Sequence, residues 1–441
     1  MRRWHALAYL ALLLMAAAGL SFLYTMIVPP RPFARRARAQ ALAPPAQDDA
    51  WTEYAAALAD LAREPNPAWV AETNPSAELS PDQRAYLARH LAALAHLRAG
   101  SARSRFEYFR EAPTVVTPVP DLQRLRHLAE VGAAEAQRLR EAGDPVAALE
   151  LETVAYHFGT DLAQPDAGLL LPITAAGCRR SAAAALFASL GRDAPAASFV
   201  RAARAVASED ARMPSAWQAT DSEWRLMSRT IEDDFLGPDG GPAGPSAFRL
   251  RVFARFLRQH DAVLEEARPL LQSWDFPGLQ ALDERMGPAL RARASTWRTV
   301  FLVDNMAARI TAGVVAPLGR PARLLYSDRA NGAAFQLLAA CRAYEIAHGR
   351  LPADPRDALA EAGVAWPIDV ITRHPIGYRL EGDHATVWLA GFDGKDDGGR
   401  SPYLDLVQAT IVPGTDLVYR LGQTPPTLRT LAATARAKIN P

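Results

Sequence analysis

Three carboxylates crowd one short loop near the C-terminal end of the chain: Asp393, Asp396 and Asp397, set among Gly391, Gly394, Gly398 and Gly399 in the run GFDGKDDGG. Carboxylates this dense repel one another unless a cation neutralises them, and the glycines let the backbone curl so that carbonyl oxygens can join the ligands. A hard cation taking roughly six to eight oxygens suits such a loop, so calcium is the expected ion and Asp393, Asp396 and Asp397 its expected ligands. The spacing is not that of an EF-hand, whose loop is longer and closes on a Glu. Other chemistry has no local signature. The chain contains no HExxH, GxSxG or SxxK motif and no Gly-rich phosphate cradle. Its 9 histidines are dispersed, with His90, His96 and His127 on ordinary helix faces, so no catalytic residue is nominated.

The elements around the acidic loop change character after Tyr326. Asp328 is placed to cap a helix whose Ala334, Leu337, Cys341 and Tyr344 form one apolar stripe, ending at His348-Gly349 with Pro352 beyond. Extended runs follow at 376–380 and 385–389, separated by Glu381-Gly382-Asp383-His384, and again at 404–412 and 417–421. A helix covering one face of an antiparallel sheet, a small α+β module, is the expected arrangement.

Upstream the pattern is helical. Ser80-Pro81-Asp82-Gln83 supplies an N-cap Ser, a Pro at the first helical position and a Gln for a capping box, and Leu87, Leu91 and Leu94 then recur at helical spacing towards Gly100. Residues 121–163 read as an αα-hairpin turning at Gly143-Asp144-Pro145. The turn has the flavour of a tetratricopeptide repeat, but no 34-residue recurrence accompanies it, so a plain helical bundle is expected. Further helices are expected near 175–190, 194–207, 221–235, 246–274 and 279–315, interrupted by the Gly/Pro-rich loop 237–245.

At the N-terminus, residues 4–28 read WHALAYLALLLMAAAGLSFLYTMIV, an apolar run that exceeds the ~30 Å hydrocarbon core when helical and stops at Pro29-Pro30. Arg2-Arg3 with Ala16-Ala17-Ala18 would also serve a cleaved signal peptide, but the run continues well past that point, which favours an uncleaved anchor. Residues 31–50 form a Pro/Ala/Arg-rich linker. Arg31, Arg35, Arg36 and Arg38 follow the span and by charge alone favour a cytoplasmic body, whereas long domains translocate largely regardless of charge. The net charge of +1 and the scatter of arginines over helix surfaces exclude a nucleic-acid partner. Only Cys178 and Cys341 occur, both in apolar helical stretches, so buried free thiols are expected.

The runs FQLLAACRAYEIAHGRLPADPRDAL, WPIDVITRHPIGYRL and VWLAGFDGKDDGG resemble the C-terminal part of type II secretion major pseudopilins. They resemble more closely still a broad group of bacterial envelope proteins that carry this module after a long helical region. Tyr344, His348-Gly349-Arg350, Pro352, Pro367, Asp369, Tyr378-Arg379 and Gly391 to Gly399 match the pattern in order. The resemblance implies structural calcium in the acidic loop and a periplasmic body. The N-terminus lacks the pseudopilin cleavage signature, and Pro367-Ile368-Asp369-Val370 lacks the second Pro common in that turn, so assembly as a usual fibre subunit is not expected.

The expected fold is therefore mainly α: a transmembrane anchor (1–30), the linker (31–50), an α-helical bundle (51–325), a pseudopilin-like α+β module (326–425) and a tail (426–441). The expected place is the bacterial inner membrane, single-pass, with partners among envelope or secretion-system proteins. A non-enzymatic interaction or scaffold role is the first expectation. A hydrolase whose site is assembled from distant helices is the second.

Overall fold

The computed structural model describes residues 49–65, 67, 78–108, 121–163, 168–236, 247–295, 306–307, 310–311, 317–399 and 416–422. Among them the chain is mainly helical, with 12 helices and a small antiparallel sheet. The expected membrane anchor, residues 31–48 of the expected linker, the C-terminal tail, the Gly/Pro-rich loop and the strand expected at 404–412 lie outside the described residues. The last two linker positions, Asp49 and Ala50, instead cap and begin the first helix. No helix among the described residues is long and apolar enough to cross a membrane.

Acidic and hydroxyl caps start the early helices. Helix α1 (Ala50–Leu61) begins where the Asp49 carboxylate accepts the Trp51 N–H. The capping box at Ser80 and Gln83 forms as expected and opens α2 (Pro81–Arg89). The helix then breaks at His90 and resumes as α3 (Leu91–Ser101). The break rotates the second segment, leaving Leu91 55% exposed although its spacing placed it on the apolar stripe. Asp121 caps α4 (Leu122–Glu141), and Asp144 with Pro145 starts α5 (Pro145–Leu162), so the predicted hairpin is present with its turn in place. Next come α6 (Leu170–Ser189), α7 (Ala196–Arg212), α8 (Ala216–Leu236), α9 (Ala247–Ser273) and α10 (Phe276–Ser295).

Helix α11 (Gly319–His348) corrects one expectation. Its left-handed C-cap is Gly349, as the sequence suggests, but it starts at Gly319, and Asp328 is an interior residue instead of a cap. The reason is electrostatic: Asp328 is buried against the guanidinium of Arg179 and is not available to a helix end. The helix therefore runs through position 326, where the pattern of the sequence changes. Asp354 caps the short α12 (Pro355–Ala362), which ends at left-handed Gly363.

Strands β1 (Gly377–Glu381), β2 (His384–Leu389) and β3 (Leu417–Arg420) form an antiparallel sheet in that order. Tyr378 pairs with Val387, which pairs with Tyr419, placing these side chains on one face. That face packs on α11, and the Tyr419 ring stacks on Phe187 of α6 at 5.4 Å. One core joins α5, α6, α7, α11 and the strands through Tyr156, Phe187, Phe199, Phe335 and Val387. A second core joins α1 to α6 through Tyr54, Leu97, Leu128, Phe158 and Cys178. Both cysteines are buried free thiols, pushed up to about 12 by burial.

Candidate functional site

The acidic loop leaves β2 and curls over the outer face of the sheet. Gly394 adopts φ +79°, donates to the Gly391 carbonyl and lets the Asp393 carboxylate accept the Lys395 N–H at 3.1 Å. Asp396 accepts from the Trp388 indole at 2.9 Å and from the Gly398 N–H at 2.8 Å. Asp416, at the start of β3, joins the group: it accepts the N–H of Asp397 and, at 2.7 Å, that of Gly399. The burial of Asp416 and the charges of Asp396 and Asp397 push its carboxyl up to about 6, against the pull of those two N–H donors. Asp397 Oδ2 is buried with no hydrogen-bond partner. The three residues nominated by sequence thus lie together, and a fourth arrives from 19 or more positions away. Their oxygens mainly cap the loop's own backbone. Among the described residues no set of three His, Cys, Asp or Glu side chains is arranged to hold a metal ion.

A larger polar constellation lies where α5, α6, α7 and α11 meet. Arg179 of α6 is fully buried. Its Nε faces the Asp328 carboxylate at 3.1 Å from Oδ1 and 2.9 Å from Oδ2, and its Nη1 donates to Thr160 at 2.9 Å. Nη2 donates to the Tyr156 hydroxyl and to Asp210, and the guanidinium lies 4.1 Å from the Tyr156 ring centroid. Asp210 also accepts from Tyr156 at 2.7 Å and from Gln336 at 2.6 Å. Two glycines make room for this. A Cβ on Gly159 would sit 2.6 Å from Arg179 Cγ, and one on Gly332 would sit 2.2 Å from Asp210 Oδ2.

The network continues towards the surface. His157 of α5 is clamped between Glu209, 2.8 Å from Nδ1, and Asp161, 3.3 Å from Nε2. Arg212 donates to Asp161 at 2.7 Å and to Glu209 at 2.8 Å, and Tyr54 of α1 donates to Asp161 at 2.8 Å. Burial alone would push His157 down, but bonds to the two carboxylates overturn it and hold the imidazole up at about 9. Asp161 shows the converse: burial raises it, and His157, Arg212 and Tyr54 together hold it below its ordinary value. Deep inside, burial outweighs the Arg179 charge at Asp328, whose carboxyl is pushed up to about 6.

Smaller buried polar pairs flank this hub. Arg140 of α4 pairs with fully buried Glu152, which burial pushes up to about 7 despite the guanidinium and a bond from Ser189. Tyr86 and His127 share a 2.7 Å bond, and His90 Nδ1 lies 3.1 Å from Asp60. Burial pushes His127 down to about 4, with His90 adding to the effect.

None of these residues carries a motif. Arg179 stands out only as a charge in the Ala-rich stretch AAGCRRSAAAALF, and its partners lie 19 to 149 positions away, so no local spacing announces them. The constellation can fix four helices in one geometry and hold His157 as a cation. The carboxylate oxygens of Asp161, Glu209 and Asp210 each lie against a donor from the protein itself, whereas Asp328 accepts from Arg179 through Oδ1 and its buried Oδ2, 2.9 Å from the same Nε, has no hydrogen-bond partner.

The fold and site define a mainly helical protein with a small antiparallel sheet, organised around a buried ion network. Comparison with protein-family models, curated proteins and solved structures finds no match for the chain.

Proposed function

We propose that this chain is a membrane-anchored, non-enzymatic interaction or scaffold protein of the bacterial cell envelope. Its anchor at residues 4–28 sits in the inner membrane and its body faces the periplasm. The observation that carries the non-enzymatic part is the occupancy of the ion network. A general base needs a lone pair facing substrate. The carboxylate oxygens of Asp161, Glu209 and Asp210 face the protein's own donors, and Asp328, whose Oδ2 lacks a hydrogen bond, is only 2% exposed and lies against the Arg179 guanidinium. The apolar N-terminal run and the pseudopilin-like residues of the C-terminal unit support the location.

The discriminating experiment uses the full-length chain expressed in its host membrane. Crosslinking in intact cells, followed by identification of the adducts, is performed on wild type and on His157→Gln and Glu209→Gln. A scaffold keeps its crosslinked partners in both variants below their lowered melting temperatures. Loss of the associated phenotype in a variant that remains folded and partnered would instead make the hub a hydrolase-type active site.

Calcium at the acidic loop is a second reading, favoured by the buried, unpartnered Asp397 Oδ2 and by the arrival of Asp416 beside it. Binding would require Asp393 and Asp396 to exchange backbone donors for the cation. Isothermal titration with calcium, comparing wild type with Asp396→Ala/Asp397→Ala, tests it, and absence of heat in both proteins removes the reading.

A further inference from the structure

Among the described residues strand β1 is an edge strand, and its outer edge has a defined polarity. The Leu421 N–H donates to the Ala385 carbonyl, so the backbone groups of Ala385 and Val387 face β3 while those of His384, Thr386 and Trp388 face β1. It follows that Gly377, Arg379 and Glu381 spend their backbone groups on β2, and those of Tyr378 and Leu380 point outward. At the start of the strand this edge is closed, because Ile376 donates its N–H to the Pro367 carbonyl and accepts from the Trp366 indole. Towards the hairpin tip it has no backbone partner among the described residues. Leu380 is 36% exposed there, although its side chain shares the inner face with Tyr378 and Val387.

The order of residues on this edge is self-complementary. We infer that β1 pairs with β1 of a second copy of this chain, antiparallel and centred on Leu380, joining two three-stranded sheets into one. In that register Leu380 faces its own symmetry mate in a hydrogen-bonded pair, using the outward backbone groups just described. Arg379 then stands opposite Glu381 of the other copy, and Glu381 opposite its Arg379, in non-hydrogen-bonded pairs where side chains are closest. Within one chain Arg379 and Glu381 already form an ion pair at 2.6 Å on the outer face. The two-fold turns two such pairs into a ring of four charges of alternating sign. It also covers the exposed Leu380 with its own counterpart. A register shifted by a single residue would set an outward-facing residue opposite an inward-facing one, and a parallel pairing would lose the opposition of Arg379 and Glu381.

The test is the association of the full-length chain in mild detergent, read by sedimentation velocity over a range of protein concentrations. Wild type is expected to show a reversible dimer. Leu380→Pro removes an outward N–H that β2 does not use, so the monomer keeps its sheet and the dimer is lost. Arg379→Glu and Glu381→Arg each oppose like charges twice and weaken association about tenfold, while the double swap restores it. Leu380→Cys should give a disulfide-linked dimer on mild oxidation. A chain that stays monomeric throughout, or a dimer unchanged by Leu380→Pro and by the single charge reversals, overturns the inference.

Discussion

Replacing Arg179 strips the buried Asp328 of its counter-charge and takes a donor from Asp210, while Tyr156 and Gln336 still serve the latter. Breaking a buried pair from one side leaves an uncompensated charge, at a cost of about 3–5 kcal/mol. Arg179→Met should therefore lower the urea-unfolding free energy by that amount, and adding Asp328→Met should recover a large part of it. His157 gives a pH-dependent test. Its folded value, about 9, lies above the ordinary 6.5, so its contribution is fully present below pH 6.5 and is lost as pH rises through 9. The shift corresponds to about 3 kcal/mol. The melting temperature of the wild type should fall between pH 6.5 and 9.5, and His157→Gln should start lower and flatten that slope. At this scale the sequence was least informative. Asp328 looks like a helix cap because Asp is common there, and its burial depends on a guanidinium 149 positions earlier. The acidic loop was visible because its members are neighbours, whereas Asp416 was not.

Element starts and stops were the most legible features, because a cap needs only residues within one turn of it. Ser80 with Gln83, Asp144 with Pro145, and Gly349 all act as their types predict. Ser80→Ala should cost about 1 kcal/mol and show as earlier fraying of α2 in hydrogen exchange. What caps cannot show is how closely helices approach. Gly332 looks like a weak point in α11, since glycine disfavours helix by about 1 kcal/mol relative to Ala. Its place against Asp210 and the Tyr156 hydroxyl explains it, because any Cβ would meet both within 2.6 Å. Gly332→Ala should consequently destabilise the chain by about 1–3 kcal/mol despite the better helix former, as overpacking outweighs propensity. Equilibrium unfolding in urea measures the sign directly.

For the whole molecule, composition and periodicity indicate a helical body followed by strands, but they do not show how far the two share a core. Helix α11 passes from one to the other without interruption. Tyr326 donates to the Ala390 carbonyl at 2.7 Å, Arg204 of α7 donates to the Ala362 carbonyl at 2.6 Å, and Tyr419 stacks on Phe187 while its hydroxyl reaches Asn331 at 2.9 Å. A unit tied in this way has little surface of its own along which to separate, so helices and strands should melt together. Thermal unfolding followed by far-ultraviolet ellipticity, which reports the helices, and by near-ultraviolet ellipticity from the aromatic packing around Phe187 and Tyr419 should give coincident transitions. Tyr419→Ala removes a buried ring and should cost about 3–5 kcal/mol, as large aromatic truncations do. If the strands formed a separable module, that variant would lose only the near-ultraviolet signal at lower temperature. Displacement of both signals by the same number of degrees is the outcome a shared core requires.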